Sequence, residues 1–380
     1  MELVVTEEQE ELRSALRRFF AGKSSSAQVR RLMETTIGYD PGVWTQMGDQ
    51  LGLQGLAIPE EYGGSGFGFR ELVIVLEEMG RVLLCAPYLA SAVLAASALL
   101  HGGDEVAKQE LLPGIASGET IATLAWTEEN GRWDASGVTM VARRRPTFEE
   151  RPEHPVVWTL DGTKTYVLDG HVAGLVLVVA RTPGGLSLFA VDGGVPGLTR
   201  TLLPTLDQTR KLARIDFDSV PARLIGAEGS AAGMLAATLD RAAVALAAEQ
   251  LGGAQRVLEL SVEYAKLRHQ FGRPIGSFQA IKHKCADMLL EVESSRSAVL
   301  YAATAIDEDS PEVPSVASLA KVYCSDAFFH AAAETIQIHG GIGFTWEHDA
   351  HLYFKRAKSA QLFLGTPDDH RTHFANRVGI

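Results

Sequence analysis

The spacing of apolar residues changes twice along the 380-residue chain, and the changes divide it into three stretches. Thr6-Glu7-Glu8-Gln9 has the form of a capping box, and Leu12, Leu16 and Phe19 continue on one face, which predicts a first helix. Helical spacing returns over about 42–51, is broken by the turn at 59–66, and resumes over about 70–81, 87–101 and 104–116. Pro87, Gly102-Gly103 and Gly118 punctuate these helices. From about 121 to 225 the apolar runs become short and β-rich, at 156–160, 175–180, 186–191 and 212–217. Asp161-Gly162, Pro183-Gly184-Gly185 and Asp192-Gly193-Gly194 separate them, as hairpin and loop chemistry requires. Regular βαβ alternation is absent, so a small antiparallel β domain or barrel is expected. After Gly226 the pattern is helical to the end. One stripe carries Leu239, Ala243, Ala247, Leu251, Ala254, Leu258 and Val262, and further helices are expected over about 277–307 and 315–338. A last helical pattern holds Leu352, Tyr353, Ala357 and Leu362 and stops at Gly365-Thr366-Pro367. The expected fold is therefore an α+β multidomain chain. It has an N-terminal helical domain (1–120), a middle antiparallel β domain (121–228) and a C-terminal four-helix bundle (229–380).

Composition narrows the partners. A net charge of −12 argues against nucleic acid, whose phosphates need a basic surface. No uninterrupted apolar segment approaches the roughly 20 residues of a membrane helix. The acidic start MELVVTEEQEEL lacks the regions of a signal peptide, so a cytoplasmic protein is expected. Cys85, Cys285 and Cys324 show no metal-ligand spacing and read as small buried apolar residues. The charged run at 143–151 reads as a solvated connection.

Three segments carry candidate chemistry: PEEYGGSG at 59–66, RHQFGRPI at 268–275 followed by Phe278-Gln279, and QIHGGIGFTWEHDAHLYFKRAKSAQLFLGTPDDHR at 337–371. Paired glycines admit positive φ and close approach of a ligand. Arg268 offers a permanently charged planar fork suited to a pyrophosphate. In this order, across nearly the whole chain, the segments resemble those of the acyl-CoA dehydrogenase family of flavoproteins. That resemblance implies FAD, an acyl-CoA thioester substrate, a helical–β–helical fold and a dimer of dimers. It places Arg268, Gln270, Phe271 and Gln279, with Gln337, Gly340 and Gly341, on the FAD of a neighbouring subunit. An arginine in a surface ion pair and a plain helix C-cap are the structural alternatives. The half of the flavin site held in cis would use Thr127, Tyr166, Thr366 and Asp368. Tyr166 reads equally as a strand aromatic of the β core. Here the match is worse. The family's T-E-P-G-x-G-S-D loop stands as Thr127-Glu128-Glu129-Asn130-Gly131-Arg132-Trp133-Asp134, bulky where small residues permit close approach.

The resemblance also exposes a gap. The family's catalytic glutamate stands either before the terminal Gly-Thr, where this chain has Leu364, or on the long bundle helix, where it has Ala242. Asp240 is the remaining carboxylate beside the second position; the family assigns it to binding, and Glu249 should face elsewhere on the helix. One reading is the base-lacking subunit of a heteromeric enzyme, paired in an α2β2 assembly with a glutamate-bearing sister. The substrate would then be the thioester of a steroid side chain or other bulky acid, and electron-transferring flavoprotein the acceptor. The others are a homotetrameric dehydrogenase with an unusual base, a flavin monooxygenase of the same fold, and a non-catalytic scaffold. Oxygen consumption would mark the monooxygenase and a colourless protein the scaffold.

Overall fold

The computed structural model describes residues 5–144 and 158–380; most of the charged run at 143–151 therefore lies outside the described residues. The chain divides into two compact units. The first takes Met1–Glu34, Gly68–Cys85 and Ala243–Ile380; the second takes Thr35–Phe67 and Ala86–Ala242.

The first unit is helical: α1 (Glu7–Lys23), α2 (Ser26–Glu34), α4 (Phe69–Arg81), the later part of α7 (Ala231–Leu267), α8 (Gln279–Asp307), α9 (Val313–His339), α10 (Ala350–Leu362) and α11 (Pro367–Val378). The expected capping box is present: Thr6 accepts from the Gln9 amide, and Gln9 returns a bond to the Thr6 amide. The apolar run 72–76 of α4 is buried against its neighbours. Two glycines let α4 and α7 approach closely. A Cβ on Gly80 would stand 2.0 Å from the Glu249 carbonyl oxygen, and one on Gly252 would stand 1.8 Å from that of Glu77. The Asp307 carboxylate caps α4 by accepting from the Phe69 (2.5 Å) and Arg70 (3.0 Å) amides, in favour with the helix dipole. Helix α2 has no counterpart in the expected elements, while α11 continues the expected helical pattern to the chain end beyond the break at Gly365-Thr366-Pro367. α7 is also long and apolar enough to cross a membrane, against the sequence expectation. Its apolar window is, however, 61% buried inside the protein.

The second unit holds α3 (Pro41–Asp49), α5 (Leu89–His101, π-helical over Leu89–Ala95), α6 (Glu105–Ala116) and a seven-stranded sheet. Its strands are β1 (Ala122–Ala125), β2 (Ala142–Arg144), β3 (Trp158–Leu168), β4 (Leu175–Thr182), β5 (Gly185–Asp192), β6 (Leu198–Leu202) and β7 (Leu212–Ile225). Pairing is antiparallel apart from β1 with β4, which is parallel. Trp158 and Phe189 meet edge to face at 5.6 Å in a core shared with Leu160, Val178, Ile215 and Phe217. The pairing of β3 with β7 slips between Lys164 and Val167, and this irregularity carries Tyr166.

Candidate functional site

One group of predicted residues is gathered in the first unit. α7 stops at Leu267 and gives way to a tight hairpin, β8 (His269–Gln270) against β9 (Arg273–Pro274). Phe271 (φ 52°) and Gly272 (φ 77°) make its left-handed tip, and the Ile275 amide closes it on the Arg268 carbonyl at 2.7 Å. Tyr264, one turn before Arg268, stacks on His339 at 4.3 Å and so joins the hairpin base to the end of α9. There Gly340 adopts φ 62°, and a Cβ on Gly340 or Gly341 would meet nothing within 4 Å. The base of the hairpin and the end of α9 thus adjoin.

What distinguishes this group is how few of its side chains are engaged. The exposed Arg268 guanidinium has no hydrogen bond or ion pair with any described residue, nor have the exposed Gln279 and Gln337 amides. Among the described residues, the surface ion pair that would explain Arg268 trivially is missing. Phe271 is 91% exposed, touching Phe278 edge-on at 6.1 Å, and the Gln270 side chain bonds, among the described residues, only the adjacent His269 carbonyl, at 2.9 Å. Ile342, Phe344 and Trp346 beyond the glycines are also exposed. An unpaired planar cation, free amide groups, exposed rings and open space over two glycines suit a large ligand that is part aromatic and part anionic.

A second group lies in the β unit. Thr127 is buried, and its hydroxyl donates to the Thr165 carbonyl at 2.5 Å while the Thr165 amide donates to the Thr127 carbonyl at 3.0 Å. Next to it Lys164, 0% exposed, donates to Glu128 at 2.7 Å and to the Trp126 carbonyl at 3.2 Å. Burial pulls the Lys164 ammonium down to about 8, with Glu128 opposing the shift. Burial would raise Glu128. The Lys164 charge, the Thr139 hydroxyl and the Met140 amide outweigh it and hold that carboxyl below the usual carboxylate range. Tyr166 is no core aromatic: its ring is 42% exposed on backbone at φ 55°. Thr366 and Asp368, in the first unit, have local partners. Thr366 caps α11, accepting from the Asp369 amide at 3.2 Å, and Asp368 pairs with Arg371 at 2.7 Å.

Neither base position offers a carboxylate. Leu364 is buried, 6% exposed, in a left-handed turn at φ 64°. Its carbonyl accepts from His370 Nε2 at 2.9 Å. The fully buried Lys321 ammonium donates to the carbonyls of Ala360 (3.0 Å), Gln361 (3.3 Å) and Gly365 (3.3 Å) and holds the same turn. Ala242 is fully buried within α7. Asp240 is half-buried and has an interaction partner. Glu249 is buried in an ion pair with Arg356, away from any role as a free base. Of the cysteines, Cys85 and Cys324 are buried, but Cys285 is half-exposed, contrary to expectation. Among the described residues no cluster of metal-ligating side chains occurs.

Lys321 and His370 were not among the predicted site residues. A lone lysine in the apolar run ASLAKVYC was the readable signal, since an unpaired lysine is rarely buried. His370 donates through Nε2, so its Nδ1 is a bare acceptor with no partner among the described residues. Burial, with the Lys321 charge next, pulls His370 down to about 4 from the ordinary 6.5. The folded value is depressed, so this contribution is complete above pH 6.5 and is lost as pH falls from 6.5 towards 4. Denaturant unfolding across that window should show roughly 3 kcal/mol of acid destabilisation from this group. His370→Gln, which keeps a donor but cannot titrate, should flatten the slope; an unchanged slope would refute the assignment.

Comparison with known proteins settles the family. Family models match in order along the chain: the acyl-CoA dehydrogenase N-terminal domain over residues 6–119, the middle domain over 123–220 and the C-terminal domain over 232–379. The chain belongs to the acyl-CoA dehydrogenase family. It is similar to the acyl-CoA dehydrogenase IpdE2 of Mycolicibacterium smegmatis, 35% identical over 365 residues that cover 96% of each chain. Among solved structures, butyryl-CoA dehydrogenase from Megasphaera elsdenii matches with TM-score 0.91 and 27% identity, covering 100% of both chains. A chain of the ChsE4–ChsE5 complex from Mycobacterium tuberculosis matches with TM-score 0.88 and 29% identity, covering 100% of this chain and 99% of that one. The protein is thus an FAD-dependent oxidoreductase of the acyl-CoA dehydrogenase class, acting on CH–CH bonds. The group around Arg268 fits FAD. The group around Thr127 does not fit comparably, because its hydroxyl and carboxylate groups are already bonded inward.

Proposed function

We propose that this chain is the glutamate-lacking subunit of a mixed acyl-CoA dehydrogenase, paired with a sister chain that carries the base. One observation carries the reading. Both base positions, Leu364 and Ala242, are buried apolar residues, while the Arg268 group stays exposed and largely unengaged. In this reading Arg268 faces the pyrophosphate of the partner's FAD as a fixed cation. Gln270, Gln279 and Gln337 supply amide contacts, Phe271 an apolar face, and Gly340 and Gly341 the room for close approach. Bound FAD supplies the hydride acceptor for α,β-dehydrogenation of an acyl-CoA thioester; this chain positions and shields it. Electron-transferring flavoprotein is the proposed acceptor, and the ChsE4–ChsE5 complex supports a two-chain assembly by likeness. The test is co-expression with a family member bearing glutamate at either position. The two chains should co-purify as a yellow complex. A yellow, active homo-oligomer that excludes the second chain would refute the proposal.

A further inference from the structure

We infer that Trp133 closes this chain's own flavin face, so that the chain contributes contacts to a partner's FAD without holding one in its β unit. The inference rests on the proposed donation from Arg268.

Tyr166 is the residue in this group that offers an aromatic face. Its ring is exposed, its backbone is left-handed, and it stands at a register slip in β3. Strain and exposure together at a strand irregularity commonly mark a binding surface. Trp133 lies against that ring, with centroids 6.5 Å apart and planes inclined at 38°. It also packs on Trp126 at 5.9 Å, and Trp126 Nε1 donates to the Trp133 carbonyl at 2.8 Å.

The loop holding Trp133 is stitched to itself. Asn130 Nδ2 donates to the Gly137 carbonyl at 2.7 Å, and Asn130 Oδ1 accepts from the Arg132 amide at 2.9 Å. Asp134 accepts from the Ser136 amide at 2.7 Å, and Arg132 Nη1 donates to the Ser136 hydroxyl at 3.1 Å. Gly137 packs so tightly that a Cβ there would meet Arg132 Cβ at 2.7 Å. A planar ring approaching Tyr166 from the Trp133 side would therefore have to displace an indole anchored on Trp126 and break these bonds. Two nearby polar groups are already committed: the Thr127 hydroxyl is bonded inward, and Glu128 is engaged by Lys164, Thr139 and Met140. An exposed, largely unengaged set at Arg268 and a filled set at Trp133 make the chain a one-sided donor.

The experiment titrates the purified chain alone with FAD, read from quenching of flavin fluorescence and from retained flavin absorbance. The parent should bind weakly. Arg132→Gly/Trp133→Ser should bind about tenfold more tightly or better, because each copy's Arg268 hairpin then meets an open face. Adding Arg268→Ala to the opened variant should remove the gain, which a merely loosened loop would not do. Trp133→Phe keeps a ring on Trp126 and should shift binding in the same direction by a smaller margin, so the question stays answerable if the double variant misfolds. Two results would overturn the inference. One is a parent that binds about one FAD per chain and weakens on Trp133→Ser, which would make the ring a stacking platform. The other is folded, opened variants that bind no better than the parent. Both leave the donation from Arg268 standing, which fails separately if Arg268→Ala leaves flavin retention by the mixed complex unchanged.

Discussion

Arg268→Ala in the mixed complex should weaken FAD binding about ten- to hundredfold, the loss of one charge-assisted hydrogen bond to phosphate worth roughly 1.5–3 kcal/mol. The expectation is sharp because Arg268 has no other occupation: its guanidinium engages no described residue, so removing it leaves no broken ion pair behind. Stability of the chain should therefore hardly change. Flavin affinity by fluorescence titration and unfolding by denaturant separate the two effects. Equal FAD affinity in parent and variant would remove the pyrophosphate assignment. A large stability loss would show Arg268 to be structural.

The chain alone should turn over saturated acyl-CoA thioesters at least about 10²–10⁴-fold more slowly than the mixed complex, because it lacks a positioned base, which usually contributes that much, and a flavin of its own as well. The alternatives within the chain are closed: Glu249 is paired with Arg356, Asp240 is engaged, and Leu364 and Ala242 are apolar. Dye-linked turnover by a verified single-chain preparation is the measurement, and robust activity would sink the prediction. Leu364→Glu asks the same question in reverse. The turn that would aim the new carboxylate is already held by Lys321 and His370. Combined with the opened Trp133 loop, this substitution should raise single-chain turnover; failure of that folded combination would count against the position as a latent base site.

Long amphipathic elements were readable from spacing because α4, α7, α8 and α9 bury continuous apolar stripes. α2 is short and polar; tertiary packing rather than propensity makes it helical, and periodicity passes over it. The parallel pairing of β1 with β4 is a non-local choice that four apolar residues, ATLA, cannot announce. The hairpin after α7 and the glycine turn after α9 lie in contiguous motifs, RHQFG and HGG, and so were legible as local structure. That Arg268 has no partner among the described residues, that Trp133 lies against Tyr166, and that Lys321 and His370 brace Leu364 depend on residues far apart in sequence. Those relations appear only when the chain is folded.

As proposed, this chain lends half a flavin site and keeps none. Counting FAD against protein in the purified complex with a glutamate-bearing sister tests it directly. About one FAD per two chains is expected, with flavin retention reduced by Arg268→Ala in this chain. About one FAD per chain in an active assembly of this chain alone would contradict it.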